Sequence, residues 1–297
     1  MYLYPILTRL EQADLPRLIS APTALARQFS DSTHQVFHCD TVDGSMVLKI
    51  CDDLVVAKSS FWQVANHLFE ADFPKSLTQI HHTHQLLTQH GLYMVPDFVV
   101  ASRRSFEHQF VCTRLIAGEA LTTAPVTETM VIQLAQHIAC LHQQTQSTWG
   151  NLHKPSYQAN EWGGRLHASL SALAAKSKVA IPQALLAHAL AQASAVQETE
   201  FVPMMLDLRW DQFRRLDKAQ ETLALIDLDA FVIAPRTLDL ILLAYILTPS
   251  QYALFKARYT ECHYWPDDSV QKSCYQLLLF LMQILGETNL AQWMQSR

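Results

Sequence analysis

Residues 204–213 read MMLDLRWDQF and residues 223–231 read LALIDLDAF. Each is an apolar run that ends in an aspartate, Asp207 in the first and Asp227 in the second, 20 residues later. Short apolar runs of this kind read as buried strands. Two strands closing an acidic hairpin can bring both carboxylates to one centre. An aspartate after a strand is by itself a common turn residue, so the weight falls on what the chain places in register with this pair.

Upstream, residues 34–50 (HQVFHCDTVDGSMVLKI) form two β-rich runs around an Asp-Gly turn signal. The spacing predicts an antiparallel hairpin whose second strand ends near Lys49. From Ser59 to His90 the pattern turns helical, divided by Pro74, and residues 92–100 (LYMVPDFVV) and 109–116 (QFVCTRLI) return to strand before Gly118 breaks the pattern. Beyond it, residues 128–144 set Val131, Leu134, Ile138 and Leu141 at helical spacing, residues 165–197 are Ala/Leu-rich and helical, and helices resume from Leu238. The pattern predicts an α+β, bilobal chain: a small β-sheet lobe over residues 1–115 and a larger, mostly α lobe over residues 116–297, with the boundary near residues 115–120.

The 297 residues suffice for one or two domains around a large core. With 49% hydrophobic residues, 16% charged residues and only 7 glycines, the composition excludes disordered, collagen-like and linker classes. A formal charge of −5 without any long Lys/Arg run argues against a nucleic-acid or anionic-membrane partner and favours a small molecule. The N-terminal MYLYPILTRLEQ has no basic segment before its apolar residues and no small-residue cleavage site, which predicts a cytoplasmic protein. The apolar run Leu277 to Leu285 is about half the ~20 residues a membrane span needs and reads as a core helix. Six cysteines without a C-x-x-C pair read as reduced, mostly buried thiols. Nothing in the pattern sets an oligomeric state.

Phosphoryl transfer needs positioning and charge neutralisation: a lysine on the phosphates, a carboxylate holding metal, and a carboxylate near the attacking hydroxyl. Lys49, Asp207 and Asp227 supply these types in order. At these residues the chain resembles the aminoglycoside phosphotransferase and choline kinase family of protein-kinase-like enzymes. That family's catalytic loop, H-G-D-x-x-x-x-N, is matched by Leu206, Asp207 and Gln212, and its metal-binding strand, I-D-[FW]-[ED], by Ile226, Asp227, Leu228 and Asp229. A later aspartate that would brace the catalytic loop is matched by Pro235, Asp239 and Leu240, and FVCTRLIAGEAL at residues 110–121 resembles the segment joining the lobes. Leu141-His142 and Trp149-Gly150-Asn151 are similar to further family segments.

The resemblance implies a protein-kinase-like fold, ATP or GTP as donor, Mg²⁺, and transfer of the γ-phosphoryl group to a hydroxyl of a small molecule. Lys49 would bind phosphate, Asp207 would orient or deprotonate the acceptor, Asp227 would hold Mg²⁺, and Gln212 would stand at the second metal position. Cys112 and Arg114, in the joining segment, would contact the nucleotide. The phosphate-covering loop, FSDSTHQVF at residues 29–37, offers the hydroxyls of Ser30, Ser32 and Thr33 where the family often has glycine. Between Gln63 and Gln79, where the helix partner of Lys49 is expected, Glu70 is the only glutamate and Asp72 the only other acid, and Glu70 is the expected partner. Three departures stand out: Gln212 for Asn, Met205-Leu206 for His-Gly, and the unplaced helix glutamate.

Those departures motivate a second expectation of another class, a nucleotide-binding pseudokinase that regulates or scaffolds a partner. A third is a kinase-like carrier of an aromatic or cationic ligand. Asp229 either caps a turn or touches metal, and Asp211 and Arg209 read as loop-surface residues. His81, His82, His84 and His90 lack the companions of a zinc site and read as a solvated helix face. The C-terminal aromatics Tyr245, Tyr259, Tyr264, Trp265 and Trp293 read first as core.

Overall fold

The computed structural model describes residues 2–26, 32–121 and 126–295. Its first sheet contains β1 (Thr23–Ala24), β2 (His34–Thr41), β3 (Gly44–Cys51), β4 (Phe98–Ala101) and β5 (Phe110–Arg114), in the spatial order β1-β2-β3-β5-β4 with every pairing antiparallel. Thr41 pairs with Gly44 across the β2–β3 turn, and Gly44 adopts φ +106, a conformation that explains the glycine of the Asp-Gly signal. Strand alternation then sorts β3. Met46, Leu48 and Ile50 turn outward to pack with Phe37, Cys39, Phe110 and Cys112 under the N-terminal residues Tyr4, Leu7, Leu15 and Leu18. Val47 and Lys49 face the opposite way, into the cleft.

Three helices follow β3: α1 (Asp53–Lys58), α2 (Ser60–Leu68) and α3 (Ile80–His90). The side chain of Ser59 caps α2 by accepting from Trp62 N, and Trp62, Val64, Ala65 and Leu68 form its buried face. Residues 92–97, expected as strand, are not part of one; Pro96 lacks the N–H a ladder needs, and β4 begins only at Phe98.

After β5, β6 (Glu119–Ala120) pairs with β10 (Phe213–Asp217), which pairs with β11 (Thr222–Leu225). A third sheet joins β7 (Thr148–Asn151), β8 (Tyr157–Gln158), β9 (Phe201–Met205) and β12 (Phe231–Pro235) in the order β8-β7-β12-β9. Around these lie α4 (Glu128–His142), α5 (Trp162–Lys176), α6 (Gln183–Ala195), α7 (Arg236–Ile246), α8 (Pro249–Tyr259), α9 (Lys272–Leu281) and α10 (Leu290–Gln295). The helical stretch expected over 165–197 is two helices, α5 and α6, with Pro182 at the start of the second. Leu277 to Leu281 are buried in α9, and no helix among the described residues is long and apolar enough to cross a membrane. One apolar core runs from α2 and α3 through α4 to α9, so the small lobe's helices rest on the large lobe.

Candidate functional site

Between the first sheet and the β10–β11 hairpin lies a cleft of about 370 Å³ lined by Lys49, Asp207, Arg209, Gln212, Asp227 and Asp229, among others. The two acidic loops are fastened to each other before any ligand is considered. Leu206 N donates to Ala230 O at 2.9 Å, and Ile226 N donates to Gln212 O at 2.9 Å. Asp207, just past the end of β9, and Asp227, just past the end of β11, sit in these two joined loops.

Lys49 crosses from β3 to this pair. Its Nζ stands 2.9 Å from Asp227 Oδ1 and 3.7 Å from Asp229 Oδ2. Burial alone would lower the Lys49 ammonium, but the two carboxylates overcome it and hold it above the usual lysine range. Asp227 is held below the usual carboxylate range: burial opposes this, and the Lys49 charge, then His34, outweighs burial. Asp229, with only 5% of its side chain exposed against 25% for Asp227, is pushed up by that burial, with Lys49 opposing and the Asp227 charge adding. His34 Nε2 lies 3.3 Å from Asp229 Oδ2; burial, then Lys49, pushes the imidazole down to about 4, so an uncharged ring stands beside Asp229 without a hydrogen bond between them.

Asp207 is gripped from its own loop. Arg209 Nε lies 3.3 Å from Asp207 Oδ1 and 3.3 Å from Asp211 Oδ1, and Gln212 Nε2 donates to Asp207 Oδ2 at 3.1 Å. Burial pushes the Asp207 carboxyl up to about 7, with Arg209 opposing and the charges of Asp227 and Asp211 adding. Such a group is poised to take or hold a proton near neutrality.

The other expected residues divide. Ser32 and Thr33 line the cleft, and Arg114 does too while its guanidinium donates to Asp43 O in the β2–β3 turn. Ser30 lies outside the described residues. Cys112 is not in the cleft: it pairs with Leu48, points into the outer core, and its thiol is pushed up to about 12 by burial, so Thr113 takes the cleft-facing position. Period-two alternation places residues 110 and 112 on the core face, a correction the strand pattern itself contains. Glu70 is not the partner of Lys49. It follows α2 at φ +50, where its carboxylate accepts from Ser156 Oγ at 3.0 Å and from Tyr157 OH, both in the large lobe. Asp239 does not reach the catalytic loop either; its Oδ2 sits 3.1 Å from His142 Nε2 in the buried interior, where His142 Nδ1 meets Tyr259 OH at 2.8 Å.

Sequence reasoning missed three contributors. Arg209 was expected at the surface and instead spans Asp207 and Asp211. His34 and Trp62 both line the cleft. An imidazole at the first position of β2 and an aromatic in the first turn of α2 were their only traces in the sequence.

Four carboxylates, Asp207, Asp211, Asp227 and Asp229, line the cleft, where Lys49 ion-pairs with the last two and Arg209 with the first two. The hard oxygen donors of these carboxylates fit a divalent cation such as Mg²⁺. Among the described residues no three acidic, His or Cys side chains form a ready-made cage. Mg²⁺ does not require one, since it binds through one or two carboxylates and completes its shell with water and substrate phosphates. Asp227, the more open of the Lys49 partners, is the side chain suited to that contact.

The sequence model of the phosphotransferase enzyme family matches residues 26–268. Comparison with curated proteins found no match. Among solved structures, the macrolide 2'-phosphotransferase MphH from Brachybacterium faecium aligns with a TM-score of 0.59 at 14% identity, over 93% of this chain and 89% of that one. Spectinomycin phosphotransferase APH(9)-Ia, solved with ADP and spectinomycin, aligns at 0.58 and 14% identity over 99% of this chain and 92% of the other. A GDP and kanamycin complex of an APH(2") enzyme gives 0.57 and 16% over 92% and 88%. At such identities the structural likeness is one of fold, and it is the protein-kinase-like fold of these enzymes.

Proposed function

The chain belongs to the phosphotransferase enzyme family, and from that premise we propose that it transfers the γ-phosphoryl group of ATP, with Mg²⁺, to a hydroxyl of a small molecule. The observation that carries this reading is the meeting of Lys49, Asp207 and Asp227 in one cleft, from a strand of one lobe and two loops of the other. In use, Lys49 exchanges its contact with Asp227 for the nucleotide phosphates and neutralises them. Asp207 accepts the proton of the acceptor hydroxyl as the new P–O bond forms and the bond to the β-phosphate oxygen breaks, leaving ADP. Arg209 holds Asp207 in place and offsets charge beside it. Mg²⁺ at Asp227 would supply charge neutralisation across the β- and γ-phosphates. Solved relatives hold ADP in one case and GDP in another, so both donors belong in the test.

The grip of Arg209 and Gln212 on both oxygens of Asp207 supports a second reading, a nucleotide-binding pseudokinase whose would-be base is tied down. One experiment separates them. The protein is incubated with Mg-ATP or Mg-GTP and a library of hydroxylated small molecules, and products are read by mass spectrometry for one added phosphoryl group. Transfer to any acceptor supports the kinase; nucleotide binding without transfer across the library favours the pseudokinase.

A further inference from the structure

Neither α2 nor α3, the long helices that follow β3, contains an acidic residue, and the two acids between them are engaged elsewhere. Glu70 is bound to Ser156 and Tyr157, and Asp72 pairs with Arg104 at 2.6 Å. Yet the Lys49 ammonium is not left to swing. The structure assigns its aim to Asp229, a positioning residue that takes the part a helix carboxylate would play, and to His34, whose ring packs against Asp229 with Nε2 3.3 Å from Oδ2. This assignment rests on the phosphotransferase reading, because it concerns how Lys49 is presented to phosphate.

The two Lys49 carboxylates differ in what they can reach. Asp227 opens to the cleft and is available to a ligand, whereas Asp229 is almost wholly enclosed and faces Lys49 and His34 from within. When phosphates draw Lys49 away from Asp227, the Asp229 contact at 3.7 Å remains to restrain it. His34 is itself braced by rings: its imidazole meets Phe73 edge-on with centroids 5.6 Å apart, and Phe73 stacks on Trp62 of α2 at 3.6 Å and 11°. Helix α2 thus reaches Lys49 through Trp62, Phe73, His34 and Asp229, an aromatic relay in place of a direct ion pair. Edge-to-face and stacked rings are geometrically selective contacts, so the relay transmits position as well as filling space.

The test measures ATP affinity by calorimetry in EDTA and again in Mg²⁺, for the wild type, Asp229→Asn, Lys49→Ala and the double variant. In EDTA the affinity depends on Lys49 and not on metal ligation. Asp229→Asn is expected to weaken metal-free ATP binding about tenfold in the wild-type background and to have no further effect once Lys49 is alanine, the non-additivity of one shared device. His34→Gln is expected to act in the same direction by about threefold, and it carries the test if Asp229→Asn does not fold. An Asp229→Asn variant that loses only Mg²⁺-dependent affinity would make Asp229 a metal ligand and overturn the assignment. Equal losses with and without Lys49 would overturn it as well, as would an unaffected His34→Gln. A wild type that binds no ATP in either buffer would instead sink the phosphotransferase reading, an outcome distinct from all of these.

Discussion

The side-chain amide of Gln212 donates to Asp207 Oδ2 at 3.1 Å, so the residue standing where the family has asparagine is engaged with the catalytic candidate itself. Asp207→Asn removes the proton acceptor while keeping the size and much of this bonding. We expect nucleotide affinity to change less than about threefold and the transfer rate to fall ~10²- to 10⁴-fold, the range of a lost general base. Equal rates in steady-state assays of the two proteins would return Asp207 to a turn-forming role.

The same carboxyl sets a pH dependence. Because burial pushes Asp207 up to about 7, the form able to accept a proton grows as pH rises, and the transfer rate should climb through the acid range and level off above about 7. Arg209 opposes the rise, so Arg209→Met should move that limb to higher pH. A profile flat across roughly 1.5 pH units on either side of about 7, with acceptor and nucleotide saturating, would exclude Asp207 as the base.

Away from the cleft, Glu11 clamps the N-terminal segment to the small lobe by accepting from Thr8 N and His108 N, each at 2.8 Å. Burial alone would raise its carboxyl, but these N–H groups, with the His108 and Thr8 side chains, hold it at about 2 against an ordinary 4.5. A depressed carboxyl stabilises the fold above the unfolded value and loses that contribution as pH falls from 4.5 toward 2. Glu11→Gln should therefore cost on the order of 2 kcal/mol at pH 7 in urea unfolding, and the gap to wild type should shrink below pH 4.5. A gap independent of pH would mean that shape and not charge holds the clamp.

In the large lobe, His142 joins Asp239 and Tyr259 in full burial. His142→Ala would strand the Asp239 carboxyl without this partner and should cost about 3 kcal/mol, whereas Tyr259→Phe removes one hydrogen bond and should cost about 1 kcal/mol. Denaturant midpoints check both values. Comparable losses from the two substitutions would show that the carboxyl finds another partner.

Local chemistry made half of this protein legible. The Asp-Gly turn set the β2–β3 hairpin and so the end of β3 at which Lys49 stands, and an apolar run followed by an acid located Asp207 and Asp227. What stayed hidden depends on partners distant in sequence. The strands β7 and β8, only 4 and 2 residues long, exist because β7 pairs with β12 some 80 residues on, and TWGN alone carries no such signal. Glu70 looked like the partner of Lys49 by elimination, but the positive φ after α2 turns it toward Tyr157. His34 and Asp229 are 195 positions apart, and only the closed cleft reveals that they meet.

The most direct test of the account is a calorimetric titration of ATP, with and without Mg²⁺, into the wild type and Asp227→Ala. If Asp227 holds the metal, the wild type binds ATP more tightly with Mg²⁺, and the variant, still folded by its melting transition, loses that Mg²⁺-dependent increment. An Asp227→Ala protein that melts far lower yet keeps full Mg²⁺-dependent ATP affinity would contradict it, leaving Asp227 as a structural partner of Lys49 and the cleft without its metal site.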